Sequence, residues 1–227
     1  MIDERYKMNH STIKEEEMSL LKNARVGVIG CGGLGGYNIE LLARIGIGHL
    51  VVADGDVFAE SNLNRQLLST ESNLYKSKAD EASNRVTQIN SDIQITTHDL
   101  YLDRANAFDI LEGCHVAIDA LDNVKSRLIL EETCGDIGIP LIHGAIGGWY
   151  GQVAVVLPGS GLLTKLYSSA DSEGEEKILG NPSFTPACIA SIQVAECIKY
   201  LLKKGSTLIN SVLQIDLLSN SFDVIEV

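Results

Sequence analysis

VGVIGCGGLGGYNIELLARIGIGHLVVADGD, residues 26–56, decides how the rest of the chain is read. Residues 26–29 are a short apolar, β-branched run with the character of a buried strand. Gly30, Gly32 and Gly35 follow at once in G-x-G-x-x-G spacing. Residues 37–45 carry apolar side chains at helical intervals, and residues 49–53 form a second strand. Asp54 ends that strand, 19 residues beyond Gly35. Strand, glycine turn, helix, strand and acid in this order open a nucleotide-binding α/β fold. Glycine lets the backbone turn tightly and come close to a phosphate, because no Cβ intervenes. The helix N-terminus offers that phosphate free N–H groups and the positive end of a dipole. Asp54 is placed to accept hydrogen bonds from ribose hydroxyls. A turn that merely packs helix on sheet is the alternative, and the stretch alone does not choose among nucleotides.

Composition narrows the partners. The 227 residues suit one large α/β domain, and the four prolines argue against disordered linkers. Eighteen basic and 30 acidic residues give a net charge of −12, which disfavours nucleic acid or an anionic membrane as partner. The five cysteines (31, 114, 134, 188 and 197) form no C-x-x-C pair. An odd, dispersed set without an apolar leader reads as reduced thiols in a cytoplasmic protein. No apolar run approaches the roughly 20 residues that span a bilayer.

Outward from the opening unit, Thr12 and Glu15 match a capping box for a helix ending near Leu21, so residues 1–23 read as an N-terminal helical arm. Residues 57–75 are a polar loop or short-helix region, and a helix runs over residues 79–89 behind Lys78. Strands are expected at 93–97, 116–120, 140–144 and 151–158, with helices at 105–111 and 126–134. Residues 159–183 are rich in glycine, serine and acids and read as a mobile loop over the site. A helix at 186–203 and a hairpin at 212–217 and 221–225 close the chain. The fold class is α/β: a Rossmann-like, doubly wound, mostly parallel sheet with antiparallel strands in its C-terminal part. Residues 24–227 form one domain, and its site lies beyond the carboxyl ends of the strands, where Asp54 and Asp122 converge.

Four features call for a common explanation: Ala53-Asp54-Gly55-Asp56, Ser61-Asn62-Leu63-Asn64-Arg65-Gln66, Lys78, and Ile118-Asp119-Ala120-Leu121-Asp122-Asn123. Hydride transfer has no use for an arginine and a lysine aimed at phosphates, whereas nucleotidyl transfer builds negative charge that they stabilise. A carboxylate beyond a strand end can hold Mg²⁺ against phosphates. Each residue also has a plainer reading. Arg65 could pair with Asp54 or Asp56, Lys78 could be a solvated helix-start lysine, and Asp122 could cap the next helix.

Together with GCGGLG, ADGDVFAESNLNRQL, KSKADEASNRVTQIN, AIDALDN, IPLIHGAIGGWYGQVAVVLPG and ASIQVAECIKYLLKKG, these segments resemble the ThiF/MoeB/HesA family, bacterial relatives of ubiquitin-activating enzymes. The resemblance implies an adenylyltransferase that uses ATP and Mg²⁺ on the C-terminal glycine of a small ubiquitin-like sulfur carrier protein ending in Gly-Gly. It implies that Gly32 and Gly33 line the phosphates and that Asp54 meets the ribose, with Asp56 in the same nucleotide-binding set. Asn62, Arg65, Gln66 and Lys78 would meet the phosphates, Asp122 would hold Mg²⁺, and Asn123 would stand beside it. Arg65, Lys78 and Asp122 form the implied catalytic set. A homodimer with shared sites is implied as well.

The departures from the family pattern also carry meaning. No C-x-x-C pair is present, so no structural zinc is expected. Residues 159–183 hold no cysteine for a later thioester step, and Cys188 is expected to be a packing thiol, leaving sulfur to a separate donor. In Arg5-Tyr6-Lys7-Met8-Asn9, Met8 stands where relatives carry an arginine that reaches the neighbouring subunit. Competing readings are a dehydratase-like activation of the threonylcarbamoyl carboxylate on tRNA, an NAD-dependent oxidoreductase, and a non-catalytic partner subunit.

Overall fold

The computed structural model describes residues 3–9, 11–167 and 179–227. Five parallel strands, β1 (Arg25–Ile29), β2 (His49–Ala53), β3 (Gln94–His98), β4 (Val116–Asp119) and β5 (Leu141–Gly147), are continued by antiparallel β6 (Tyr150–Val156), β7 (Ser211–Asp216) and β8 (Ser221–Glu226). Their order across the sheet is β3-β2-β1-β4-β5-β6-β7-β8. Strands β1, β2 and β4 are largely apolar on both faces because helices cover both, whereas the edge strand β3 is polar and partly exposed. On one face α2 (Gly33–Ile45), α3 (Lys78–Ile89) and α7 (Phe184–Leu202) pack Ile39, Leu42, Val86, Val194 and Cys197 against Val26, Val28, Leu50 and Ile118. On the other, α4 (Ala107–Leu111), α5 (Val124–Ile137) and α6 (Leu162–Leu166) pack Leu111, Leu130 and Leu163 against Val51, Ala117 and Leu141. No helix among the described residues is long and apolar enough to cross a membrane.

Two expectations are corrected by local hydrogen bonding. Helix α1 spans Glu15–Lys22, so the Thr12–Glu15 capping box does not form. The Thr12 and Ile13 amides both donate to the Asn9 carbonyl, at 3.0 and 2.8 Å, and this turn delays the helix. Glu17 takes over the box's reciprocal role by accepting from the Lys14 amide at 2.8 Å. Leu21 of α1 is fully buried in the same core as β1 and α2. Within the segment expected to be a loop, residues 162–166 are the helix α6, with Leu162 and Leu163 buried. The Glu131 carboxylate on α5 accepts from the Leu163 and Thr164 amides at 2.7 and 3.0 Å and closes that helix's N-terminal end. Residues 168–178 of the expected loop lie outside the described residues.

What positions the site is the switch in winding direction. The chain leaves β1 toward β2 and β3, then returns to place β4 on β1's other side. A crevice therefore opens beyond the carboxyl ends of β1 and β4. The turn after β1 is packed without slack. Gly30 holds φ +98°, and a Cβ there would lie 2.5 Å from the Ala120 carbonyl oxygen of the β4 turn. A Cβ on Gly35 would lie 1.8 Å from the Gly30 carbonyl oxygen. Gly35→Ala forces the turn apart, and we expect a stability loss of about 1–3 kcal/mol or more, read as a lower urea midpoint at unchanged slope. A wild-type midpoint would show that the turn is looser than its geometry.

Candidate active site

At that crevice lies a cavity of about 500 Å³. It is floored by Gly30, Gly32 and Gly33 and walled by Asp54, Asp56, Arg65, Gln66 and Lys78 on the β2 side. Asp122, Asn123 and Ser126 close the β4 side, and Leu100, Leu102 and Ile146 supply apolar surface. Gly32 caps α2 and brings no side-chain acceptor to the helix's first-turn N–H groups. Those donors are left for a ligand. A Cβ on Gly32 would fall 3.5 Å from Gln66 Nε2, in the space the turn keeps clear.

Asp54 holds the turn while facing the cavity. Its Oδ2 accepts from the Cys31 amide at 2.7 Å and its Oδ1 from the Asp56 amide at 2.9 Å. Burial pushes its carboxyl above the ordinary range, and the Lys78 charge and the two N–H donors only partly offset that. Lys78 is the first residue of α3 and is 6% exposed. Its Nζ donates to Asp56 Oδ2 at 2.9 Å. The reading of Lys78 as a solvated lysine is therefore wrong. Asp56 also accepts from the Tyr101 hydroxyl. Burial opposes the Asp56 charge, but the bonds from Tyr101 and Lys78, with the Lys78 charge, outweigh it and hold the carboxyl below its usual value.

Arg65 does not pair with Asp54 or Asp56. Its Nη1 donates to the Ser61 carbonyl at 2.9 Å and to Asn64 Oδ1 at 2.8 Å, so the guanidinium is braced at the cavity wall by neutral acceptors. Gln66 is 7% exposed, lines the cavity, and its Oε1 is buried without a hydrogen-bond partner. A carboxamide left so is costly unless a ligand or water completes it. Asp122 is not the helix cap. Asn123 caps α5, its Oδ1 accepting from the Ser126 amide at 2.9 Å, which leaves the exposed Asp122 carboxylate toward the cavity.

Of the ten nucleotide-site residues read from the sequence, the cavity brings together Gly32, Gly33, Asp54, Asp56, Arg65, Gln66, Lys78, Asp122 and Asn123. Asn62 does not line it, and its Oδ1 instead accepts from the Ala59 amide at 3.0 Å within a 3-10 turn, Glu60–Asn62. Sequence reasoning missed Tyr101 and its apolar neighbours Leu100 and Leu102. They follow β3 at its carboxyl end, where the rule for such sheets places ligand contacts. Cys188 is half-buried and the other four cysteines are buried, and burial raises the thiol pKa of Cys31 and Cys188. That is the setting of packing residues. Among the described residues no group of three or more His, Cys, Asp or Glu side chains could hold a metal ion by itself.

The fold and site define a doubly wound α/β protein whose switch-point cavity is lined by an arginine and a lysine. The sequence profile of the ThiF family matches residues 5–227, and the chain belongs to that family. It is 33% identical over 213 residues to the SAMP-activating enzyme E1 of Haloferax volcanii, covering 92% of this chain and 79% of that one. It is 39% identical over 142 residues to the sulfur carrier protein ThiS adenylyltransferase of Bacillus subtilis, covering 62% of this chain but 42% of that one. The crystal structure of E. coli MccB with ATP superposes with a TM-score of 0.84 at 20% identity, covering 99% of this chain and 72% of that one, which is a likeness of fold.

The Asp56–Lys78 pair makes a test of the site's electrostatics. Asp56→Asn leaves a buried ammonium without its counter-charge and is expected to cost about 1–3 kcal/mol. The folded-state carboxyl is depressed, so its contribution is present above the unfolded value near ~3.9 and fades as pH falls through the lower folded value. Urea titrations of both proteins would therefore differ most near neutrality and converge in acid. A constant difference across that window would assign the loss to packing alone.

Proposed function

We propose that the protein is an adenylyltransferase that uses ATP to activate the C-terminal glycine of a small ubiquitin-like sulfur carrier protein. One observation carries the reading: a glycine-capped helix N-terminus, Arg65, Lys78 and Asp122 all line one cavity. Family membership and relatives named for activating sulfur carriers support it. The carrier carboxylate attacks the α-phosphorus of ATP, one P–O bond forms and another breaks, and pyrophosphate leaves. An acyl-adenylate on the carrier remains.

The chain's own groups suit that charge flow. The α2 N–H donors and Gly32 and Gly33 cradle phosphate oxygens, and Gln66 meets them with its Nε2 donors. Asp54 accepts from the ribose, while Leu100 and Leu102 offer apolar surface to the base. Lys78 exchanges part of its bond to Asp56 for phosphate as charge builds, and Arg65 meets the same charge from the same wall. Asp122 would hold Mg²⁺, which would neutralise phosphate charge. A single carboxylate with phosphates is the usual way this ion is held. Asn62 acts only through the turn it closes.

Residues 159–183 contain no cysteine, so the adenylate passes to a separate sulfur donor. The homodimer forms without an arginine at position 8, where Met8 stands 93% exposed. Arg5 is bound to its own chain through Asn90 and Asp92.

ATP–pyrophosphate exchange with small proteins ending in Gly-Gly tests the proposal. Exchange is expected with at least one such carrier in Mg·ATP. Asp122→Ala and Arg65→Ala are each expected to lower it on the order of 10²-fold. No exchange with any carrier from folded protein, or full activity in Asp122→Ala, would sink the assignment.

A further inference from the structure

Beneath the cavity lies a polar cluster that nucleotide contact does not use. Asp119, at the end of β4, is fully buried. Its Oδ2 accepts from His143 Nδ1 at 2.7 Å and lies 3.6 Å from Arg127 Nε. Its Oδ1 accepts from the Leu121 amide at 3.0 Å. Arg127, 3% exposed on α5, donates from Nη2 to the Leu121 carbonyl at 2.6 Å. Tyr167 closes the cluster: its hydroxyl stands 3.1 Å from His143 Nε2, and Gln152 Nε2 donates to it at 3.0 Å.

Where the strand ladder stops explains what this cluster does. The Ala120 amide still pairs with Ile29 of β1, at 2.9 Å. Leu121, one residue on, gets both its bonds from side chains, its N–H from Asp119 and its carbonyl from Arg127. Asp122 is the next residue, so the backbone that carries its carboxylate is held on both sides of Leu121, the N–H by a carboxylate and the following peptide's carbonyl by a guanidinium, acting as a clamp. The clamp is itself held in place. Burial pushes the His143 imidazole pKa down against the pull of Asp119, and with the Asp119 carboxylate as acceptor the Nδ1–H donates to it while Nε2 faces the Tyr167 hydroxyl. Gln193 Nε2 on α7 fixes the Asp119 carbonyl at 2.8 Å. A buried Asp–Arg–His set is weak evidence for stability, because apolar side chains of similar volume often serve as well without the desolvation cost. What this set does supply is a donor and an acceptor for the two Leu121 backbone groups that the strand ladder leaves.

We propose that Asp119, Arg127 and His143 are positioning residues that fix the Leu121–Asp122 peptide, and thereby aim the Asp122 carboxylate at the metal-bound phosphates. This deepens the adenylation reading and rests on it for the identity of the ligand.

Two readouts on the whole protein test the inference, using wild type, Asp119→Asn, Arg127→Lys and Asp122→Ala. The first is amide hydrogen exchange at Leu121 and Asp122 without nucleotide. The second is ATP affinity by calorimetry with and without Mg²⁺. In Asp119→Asn and Arg127→Lys we expect exchange at least tenfold faster, affinity without Mg²⁺ within twofold of wild type, and a Mg²⁺-dependent gain reduced to that of Asp122→Ala. Folded variants that keep wild-type exchange, or the full Mg²⁺-dependent gain, overturn the inference. Should neither variant fold, Tyr167→Phe reads the same two quantities, with a change of about threefold in the same directions expected and no change overturning it. A wild-type protein that binds no ATP defeats the proposed function instead, and the exchange rates then decide the positioning by themselves.

Discussion

The site depends on one close approach. The turn after β1 meets the turn after β4 so tightly that Gly30 leaves no room for a Cβ against the Ala120 carbonyl, nor Gly35 against Gly30. That contact joins the two halves of the sheet where the winding reverses. It sets the start of α2 against the loop that ends in Asp122, and the cavity is the space left between them. Larger side chains at either glycine would move the start of α2 away from the groups that complete the cavity.

Charge around that space is arranged so that little of it is wasted within the protein. Lys78 is buried and neutralised by Asp56, and Asp56 is in turn held by Tyr101. Arg65 is braced by a carbonyl and an amide oxygen, so its charge is not consumed by an acid. Asp122 is kept from capping duty by Asn123, which sits next to it and does that work. The cavity thus presents two cations with two carboxylates on the β2 side and the Asp122 carboxylate on the β4 side. This suits a polyphosphate bound with a divalent ion better than it suits a dinucleotide hydride carrier.

Much of this was legible in the sequence, for physical reasons. Buried parallel strands are continuous apolar runs, so β1, β2 and β4 could be placed within one residue of their observed ends. The glycines announced a backbone that must bend and approach something closely. What could not be read were contacts made by turns and side chains across the fold. Asn62 sits in the most specific segment of the chain, yet its carboxamide is spent on its own turn. Tyr101 had no motif to mark it, only its place after a strand. Asp119 was quoted as part of a motif, but its buried partners lie 8 and 24 residues away on another helix and strand. The α1 start was misread because a box pattern gives way when the preceding turn takes its amides.

The central claim is that the cavity directs attack on the α-phosphorus of ATP. Phosphorus NMR of the products formed from Mg·ATP with a Gly-Gly-ending carrier, whose terminal carboxylate is labelled with ¹⁸O, tests it most directly. The account predicts pyrophosphate and a carrier acyl-adenylate, and, once added hydroxylamine attacks the acyl carbon, AMP with label from the carrier carboxylate in its phosphate. Formation of ADP and orthophosphate, or AMP without label, would contradict it.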